Sequence, residues 1–122
     1  MGREKKFIVL ENCYNNKLNF KIGYPIYHKD LIDKWDEKEG WKCIGGGFWY
    51  LNPKNKTIDL YGSSADFGRV DRDKLKAALN SIDKHKWFHF GWLCEQLYED
   101  VFPDIDYDNL EKEFKFSLSE FY

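Results

Sequence analysis

One loop in the sequence has a composition that suits anion binding. Residues 62–68 read Gly-Ser-Ser-Ala-Asp-Phe-Gly and join a β-favouring run to a well-signalled helix. Small residues in such a turn leave backbone N–H groups free to converge on a phosphate. We therefore predict that phosphate binds at Ser63, Ser64, Ala65, Asp66 and Phe67. The alternative is an ordinary strand-to-helix turn, which the Asp66 carboxylate favours because it would repel an anion unless turned away.

His28 is the residue best suited to proton transfer, because an imidazole titrates near neutral pH. Together with Leu31, Ile32 and Trp35 it has the spacing that places four side chains on one helical face. We expect a helix there that Gly40 ends. The same spacing turns His28 at least partly inward, so the alternative role is packing or capping at the start of the helix.

Aromatic side chains are unusually abundant, at 19% of the chain. Large rings stabilise small cores, and exposed rings stack on nucleotide bases. We predict that a possible ligand would stack on Phe48, Trp49 and Tyr50.

Several other chemistries are disfavoured. A cysteine-based phosphatase loop needs an arginine six residues after Cys43, where Trp49 stands, and no Walker-type loop occurs. The odd number of widely spaced cysteines argues against a disulfide framework or a zinc knuckle. His85 and His89 would share a face, but a third ligand at sensible spacing is missing. We predict no metal and no cofactor.

Strands and helices must position these residues. Apolar or alternating runs predict strands at residues 6–10, 18–22, 41–51, 57–61, 86–91 and 114–118, with a hairpin at Asn52–Lys56. The clearest helix begins at Asp71 as N-cap, with a Val70–Leu75 hydrophobic staple. A further helix contains Cys94, Leu97, Tyr98 and Val101 and stops before Pro103, and a turn of helix is expected after Asp108. The order predicts an α/β fold, a single domain with a mixed β-sheet flanked by helices and a central β-hairpin.

Length and charge bound the function class. A chain of 122 residues fits one domain over residues 1–122, and a net charge of −2 gives no strong nucleic-acid signal. No apolar run is long enough for a signal peptide or a membrane span, so we expect a cytoplasmic protein without membrane association. A monomer or a small homo-oligomer is expected.

Three stretches in order resemble the Janus/phosphohistidine phosphatase family. They are the Tyr27-His28 pair with the following residues to Lys34, Cys43-Ile44-Gly45-Gly46-Gly47, and Ile58 to Ser64 with Phe67-Gly68. In that family a tyrosine-histidine pair opens a helix, a C-x-G-G-G stretch enters a hairpin, and a Y-G-x-S-x-x-aromatic-G loop cradles phosphate. The family-like region covers about residues 6–91, and residues 92–122 form an extension of one helix and one strand.

The resemblance implies roles for individual residues. It implies that His28 is the catalytic base or nucleophile, and that Tyr27 and Lys6 lie near the phosphate. One departure concerns the family arginine after the triple glycine, which is Phe48 here, so a charge that would neutralise phosphate is absent. Lys21 or Arg69 are the candidates to substitute for it.

Two functions follow from these expectations. The first is a metal-independent phosphoryl hydrolase resembling protein histidine or lysine phosphatases. The alternative is a non-catalytic binder that sequesters a phosphorylated small molecule or nucleotide with the same loop. The expected partner is accordingly a phosphorylated protein or a small-molecule or nucleotide ligand.

Overall fold

A computed structural model describes residues 5–23, 27–98 and 105–118 of the chain. Five strands form one sheet: β1 (Lys6–Asn12), β2 (Leu18–Gly23), β3 (Trp41–Asn52), β4 (Thr57–Tyr61) and β5 (Lys115–Leu118). The helices are α1 (Lys34–Lys38), α2 (Arg72–Asn80), α3 (Lys84–Tyr98) and α4 (Leu110–Glu113), with 3₁₀ helices at His28–Leu31 and Tyr107–Asn109. The predicted α/β fold is confirmed.

The sheet is mixed, with the strand order β2-β1-β3-β4-β5. The first four strands pair antiparallel in this order, and β5 runs parallel to β4. The turn at residues 53–56 joins β3 to β4, as the polar Pro-containing segment predicted. The C-terminal strand was also predicted, and it forms one edge of the sheet.

One face of the sheet carries the main hydrophobic core. Phe7 and Val9 of β1, Trp49 and Leu51 of β3, and Ile58 and Leu60 of β4 all turn toward it, because alternate residues of a strand share a face. Buried residues of α2, α3 and α4 cover these side chains, among them Leu75, Ala78, Phe90, Leu93, Cys94 and Leu110. We call this the helix-covered face and the opposite one the open face.

The helix predicted from Asp71 is confirmed in detail. The Asp71 carboxylate accepts a hydrogen bond of 3.2 Å from the Lys74 N–H, which satisfies one of the unpaired donors at the helix start. Val70 and Leu75 are both buried in the same core, as a hydrophobic staple requires.

The single helix predicted from His28 is wrong, because the chain breaks it into two short elements. His28–Leu31 is one 3₁₀ turn, after which Ile32 is extended at φ −92° and ψ 123°. Asp33 then caps α1 by a reciprocal exchange with Asp36. The new start rotates Trp35 to 70% exposure, whereas His28 is only 4% exposed.

The strand predicted at residues 86–91 is also wrong, because this segment lies inside α3. Asp83 caps the helix, accepting a 2.9 Å hydrogen bond from the Lys86 N–H. The buried residues Phe90, Leu93 and Cys94 follow at helical spacing. The expected helix at Cys94 is the second half of the same element, and the part proposed around Val101 and Pro103 lies outside the described residues.

Lys86 of α3 reaches across to the edge strand β2, where its ammonium donates to Asn19 Oδ1 and to the Phe20 carbonyl. Burial, and to a lesser extent the positive charge of Lys21, lowers the pKa of Lys86 from the ordinary 10.5 to about 8. Between these values the unfolded chain holds a proton that the folded chain has lost. The contribution of this group to stability therefore rises with pH across that window.

We expect the stability of the wild type relative to Lys86→Met to increase from pH 8 to pH 10.5. Urea unfolding of both proteins across this range measures the difference, which cancels the titration of all other groups. Lys84→Met, which removes an exposed lysine of the same helix, should show no such trend. A difference that stays constant with pH for Lys86→Met would contradict the lowered pKa.

Candidate functional site

The His28 ring is fixed against the open face of the sheet by one hydrogen bond. Its Nε2 lies 2.8 Å from the Gly47 carbonyl oxygen, and the side chain is buried. A carbonyl oxygen only accepts, so Nε2 must carry the proton. In the neutral ring Nδ1 is then left with a lone pair. No hydrogen bond within the described part of the chain engages Nδ1, so the ring has the tautomer that a base or a nucleophile needs.

The triple glycine lets the imidazole approach the sheet so closely. A Cβ at Gly46 would lie 2.5 Å from the Phe7 carbonyl oxygen and 3.1 Å from His28 Cδ2. Gly45 sits at a register shift opposite Val9 with φ +146°, a conformation that side chains rarely adopt. The glycine stretch thus begins at a bulge within a continuous β3.

The loop at residues 62–68 is tied to the same glycines. Gly46 N–H donates to the Gly68 carbonyl at 3.1 Å, and Ser64 and Gly68 exchange two backbone hydrogen bonds of 3.1 and 2.8 Å. The His28 motif and the loop are therefore anchored to adjacent residues of β3. The elements that the sequence proposed for one site do meet there.

Ser64 organises the loop from the inside. Its hydroxyl oxygen is buried and accepts hydrogen bonds from the N–H groups of Asp66 and Phe67, at 3.2 and 3.1 Å. These donors, with those of Ser64 and Gly68, serve the loop itself. Among the described residues no hydrogen bond uses the N–H groups of Ser63 or Ala65, and both residues are exposed. Two exposed backbone donors thus remain for an anion, and the role of the loop in phosphate binding stays a prediction.

Phe48 occupies the centre of the site. Its ring lies edge-on to His28 with the centroids 5.3 Å apart, and it contacts the Tyr61 ring at 5.7 Å. A Cβ at Gly62 would lie 2.9 Å from Phe48 Cδ2, so the ring also abuts the start of the loop. An apolar ring therefore joins the histidine to the loop at the position where the related pattern has an arginine.

Lys6 brings a positive charge to this centre. It pairs with Phe48 across β1 and β3, is only 7% exposed, and places Nζ 5.7 Å from the Phe48 ring centroid. Such a geometry is a cation–π contact. Lys21 is less suited to replace the arginine, because its ammonium is paired with Asp33 and Asp36.

The other predicted ligand-contacting residues divide between the two faces. Tyr27 is 55% exposed beside His28, with Lys29 Nζ 5.2 Å from its ring. Tyr50 is on the open face, as is Phe48. Trp49 is fully buried on the helix-covered face, and its indole donates to the Lys6 carbonyl at 3.1 Å. The prediction that Trp49 can stack on a ligand is therefore wrong, because a side chain between two outward neighbours of a strand points inward.

Sequence reasoning missed Tyr61 as a member of the site. Its ring contacts both Phe48 and Tyr50 on the open face. The hairpin register that pairs Phe48 with Tyr61 was the signal that could have identified it.

Cysteine and metal chemistry find little support in the described residues. Burial raises the pKa of the Cys43 thiol and, more strongly, that of Cys94, which disfavours the reactive thiolate. Within residues 5–23, 27–98 and 105–118, no three His, Cys, Asp or Glu side chains are grouped to hold a metal ion. No helix in these same ranges is long and apolar enough to cross a membrane.

Comparison with protein families identifies the chain. The model of the Janus/Ocnus family matches residues 22–88, more than half of the sequence. The chain belongs to the Janus/Ocnus family. The match includes His28, the triple glycine and the loop, but β1 with Lys6 and the edge strand β5 lie outside it. A comparison with curated proteins found no match.

Membership of the Janus/Ocnus family corrects one interpretation of the sequence. The matching model describes Janus/Ocnus proteins and not a phosphohistidine phosphatase family. The identification with phosphohistidine phosphatases is therefore wrong, although the Janus name is common to both. The roles that this identification implied for single residues now depend on the geometry alone.

We expect Ser64→Ala to destabilise the protein by about 1–3 kcal/mol, because it removes the acceptor of two backbone N–H groups. The amides of Asp66 and Phe67 should lose protection in hydrogen exchange. Ser63→Ala is the matched control, and its exposed side chain should change stability by less than about 0.5 kcal/mol. Equal unfolding free energies for the two variants would show that Ser64 does not hold the loop.

Proposed function

We propose that the His28 site binds a phosphoryl group and hydrolyses it without a metal ion. The observation behind this proposal is the 2.8 Å hydrogen bond from His28 Nε2 to the Gly47 carbonyl, which leaves the Nδ1 lone pair for chemistry. Lys6 supplies a positive charge within the same cluster through its contact with Phe48. The exposed N–H groups of Ser63 and Ala65 supply donors for phosphoryl oxygens.

Two versions of the reaction use the same lone pair. In the first, Nδ1 accepts a proton from water while the water oxygen attacks phosphorus, and the leaving group departs with the electrons of its bond. In the second, Nδ1 itself attacks phosphorus and forms a P–N bond while the leaving group departs with the electrons of its bond, and water then cleaves the P–N bond and frees Nδ1. In both, we assign to Tyr27, the exposed residue that precedes His28, the role of donating its hydroxyl to a phosphoryl oxygen.

A second candidate function is binding without hydrolysis. Phe48 supports it, because an apolar ring next to His28 cannot neutralise the charge that develops on a transferring phosphoryl group. Tyr50 and Tyr61 are each 42% exposed on the same face and offer rings to a nucleotide base. In this version the protein sequesters a phosphorylated small molecule or nucleotide.

The partner proposed for either function is a phosphorylated protein or a phosphorylated small molecule. We further propose that the protein works in the cytoplasm as a monomer or a small homo-oligomer. The near-balanced charge of 19 basic and 21 acidic residues agrees with a ligand other than a nucleic-acid backbone.

His28→Gln tests the hydrolase proposal. The glutamine amide has a reach similar to that of Nε2 and keeps a donor for the Gly47 carbonyl, but it has no counterpart of Nδ1. We expect phosphate release from phosphoramidate or an aryl phosphate in the presence of EDTA to fall by about 10²-fold or more. The melting temperature should change little.

The matched control is His89→Gln, which alters an exposed histidine of α3. It should retain full turnover. If this protein itself becomes phosphorylated during turnover, and acid cleaves the new P–N bond, His28 is the nucleophile rather than the base. If the wild type releases no phosphate yet retains a nucleotide, hydrolysis is excluded and the binding function takes its place.

A further inference from the structure

A depression lies on the open face of the sheet, away from His28. It has a volume of about 390 Å³ and is lined mainly by Tyr50, Tyr61, Asp59, Thr57, Asn55 and Ser117. Tyr50 pairs with Asp59 across β3 and β4, and Asp59 pairs with Ser117 across β4 and β5. Residues directly opposite each other share a face, so one row across the sheet forms the floor.

Among the described residues, the donors that hold the carboxylate of Asp59 are neutral. It accepts a 2.7 Å hydrogen bond from the Thr57 hydroxyl and a 3.3 Å hydrogen bond from the Asn52 amide. In the part of the chain that the structure describes, no lysine, arginine or histidine forms an ion pair with it. Neutral donors fix the position of the carboxylate without cancelling its charge.

Lys115 is the nearest basic residue by sheet position, because it pairs with Thr57 across β4 and β5. Its ammonium nevertheless makes no ion pair with Asp59 among the described contacts. The nearby hydroxyl of Tyr50 responds to the carboxylate: hydrogen bonding to Asp59, more than burial, raises the pKa of Tyr50. The depression therefore has a negative charge that no ion pair balances within the described residues.

Two tyrosine rings flank this charge. The rings of Tyr50 and Tyr61 meet edge to face at 67°, with the centroids 5.8 Å apart. Each residue is 42% exposed, so both rings can contact a ligand. The face of a phenol ring attracts an organic cation, and a neighbouring carboxylate adds to that attraction.

We propose that this depression binds the basic side chain of a partner polypeptide, through its ammonium or guanidinium group. A carboxylate without a counter-ion beside two exposed rings is the combination that such a cation requires, whereas a nucleotide would bring an anionic phosphate toward Asp59. The proposal does not rest on hydrolysis at His28. It adds a polypeptide-binding subsite on the face where His28 lies.

The subsite is continuous with the His28 site through a row of rings. His28 contacts Phe48, Phe48 contacts Tyr61, and Tyr61 contacts Tyr50, with successive centroid distances of 5.3, 5.7 and 5.8 Å. An extended polypeptide on the open face would pass both positions. The geometry thus favours a polypeptide as the source of the cation over a small amine.

NMR titration of the full chain with Nα-acetyl-argininamide tests the proposal, and Nα-acetyl-norleucinamide is the neutral probe. We expect the arginine probe to shift the signals of Tyr50 and Tyr61. The affinity for the neutral probe should be lower by a factor of about five or more. Asp59→Asn keeps the shape and should weaken the arginine probe by a similar factor. Asp73→Asn, an exposed position in the first turn of α2, should not.

Each outcome decides the proposal. Equal binding of the two probes, or an unchanged affinity in Asp59→Asn with its fold intact, would overturn it. A nucleoside monophosphate that shifts the same tyrosines more strongly than the arginine probe would assign the rings to a base instead. If Asp59→Asn unfolds, loss of the arginine-probe shifts at high salt in the wild type supports the proposal, and insensitivity to salt contradicts it.

Discussion

The contact between the His28 imidazole and the backbone of the triple glycine determines most of the open face. The His28 ring donates to the Gly47 carbonyl, and a Cβ at Gly46 would lie 3.1 Å from this ring and 2.5 Å from the Phe7 carbonyl oxygen, so glycine leaves room for both the ring and β1. The same glycine stretch holds the loop, because the Gly46 N–H donates a hydrogen bond to the Gly68 carbonyl. The bond to Gly47 fixes the tautomer of the ring, the bond from Gly46 fixes the loop, and Phe48 fills the space between them. A substitution in the triple glycine would therefore disturb chemistry and architecture together.

Local signals predicted those parts of the fold in which one residue decides the outcome. Asp71 and Val70 predict α2, and the polar Pro-containing segment predicts the hairpin, because capping and turn formation depend on residues that are neighbours in sequence. The first helix differs from the prediction because Asp33 caps a separate helix and so interrupts the apolar spacing that begins at His28. The segment at residues 86–91 was mispredicted because aromatic residues favour strands locally, while Asp83 and the tertiary packing of Phe90 impose a helix.

The site was predictable in its membership more than in its hydrogen bonding. The family resemblance implied that His28, the glycines and the loop lie together, but the sequence could not show that the Ser64 hydroxyl would accept hydrogen bonds from the amides of Asp66 and Phe67. Strand parity was the other missing quantity. Alternation along β3 places Phe48 and Tyr50 on one face and Trp49 on the other, and the hairpin register places Tyr61 opposite Phe48. The first fact depends on alternation along β3 alone, whereas the second depends on the pairing of β3 with β4, which no single segment encodes.

Phe48 and Lys6 form a coupled pair, and this coupling disfavours an arginine at position 48, directly after the triple glycine. Lys6 is almost completely buried opposite Phe48, and its ammonium lies over the ring. The ring accepts this charge through its quadrupole, whereas a guanidinium in its place would repel it at close range. Phe48→Arg alone would therefore move Lys6 or turn away from it rather than face a phosphoryl group. Any anion that binds here is attracted by the lysine across an aromatic ring, an arrangement better suited to holding a charge than to stabilising its redistribution during bond cleavage.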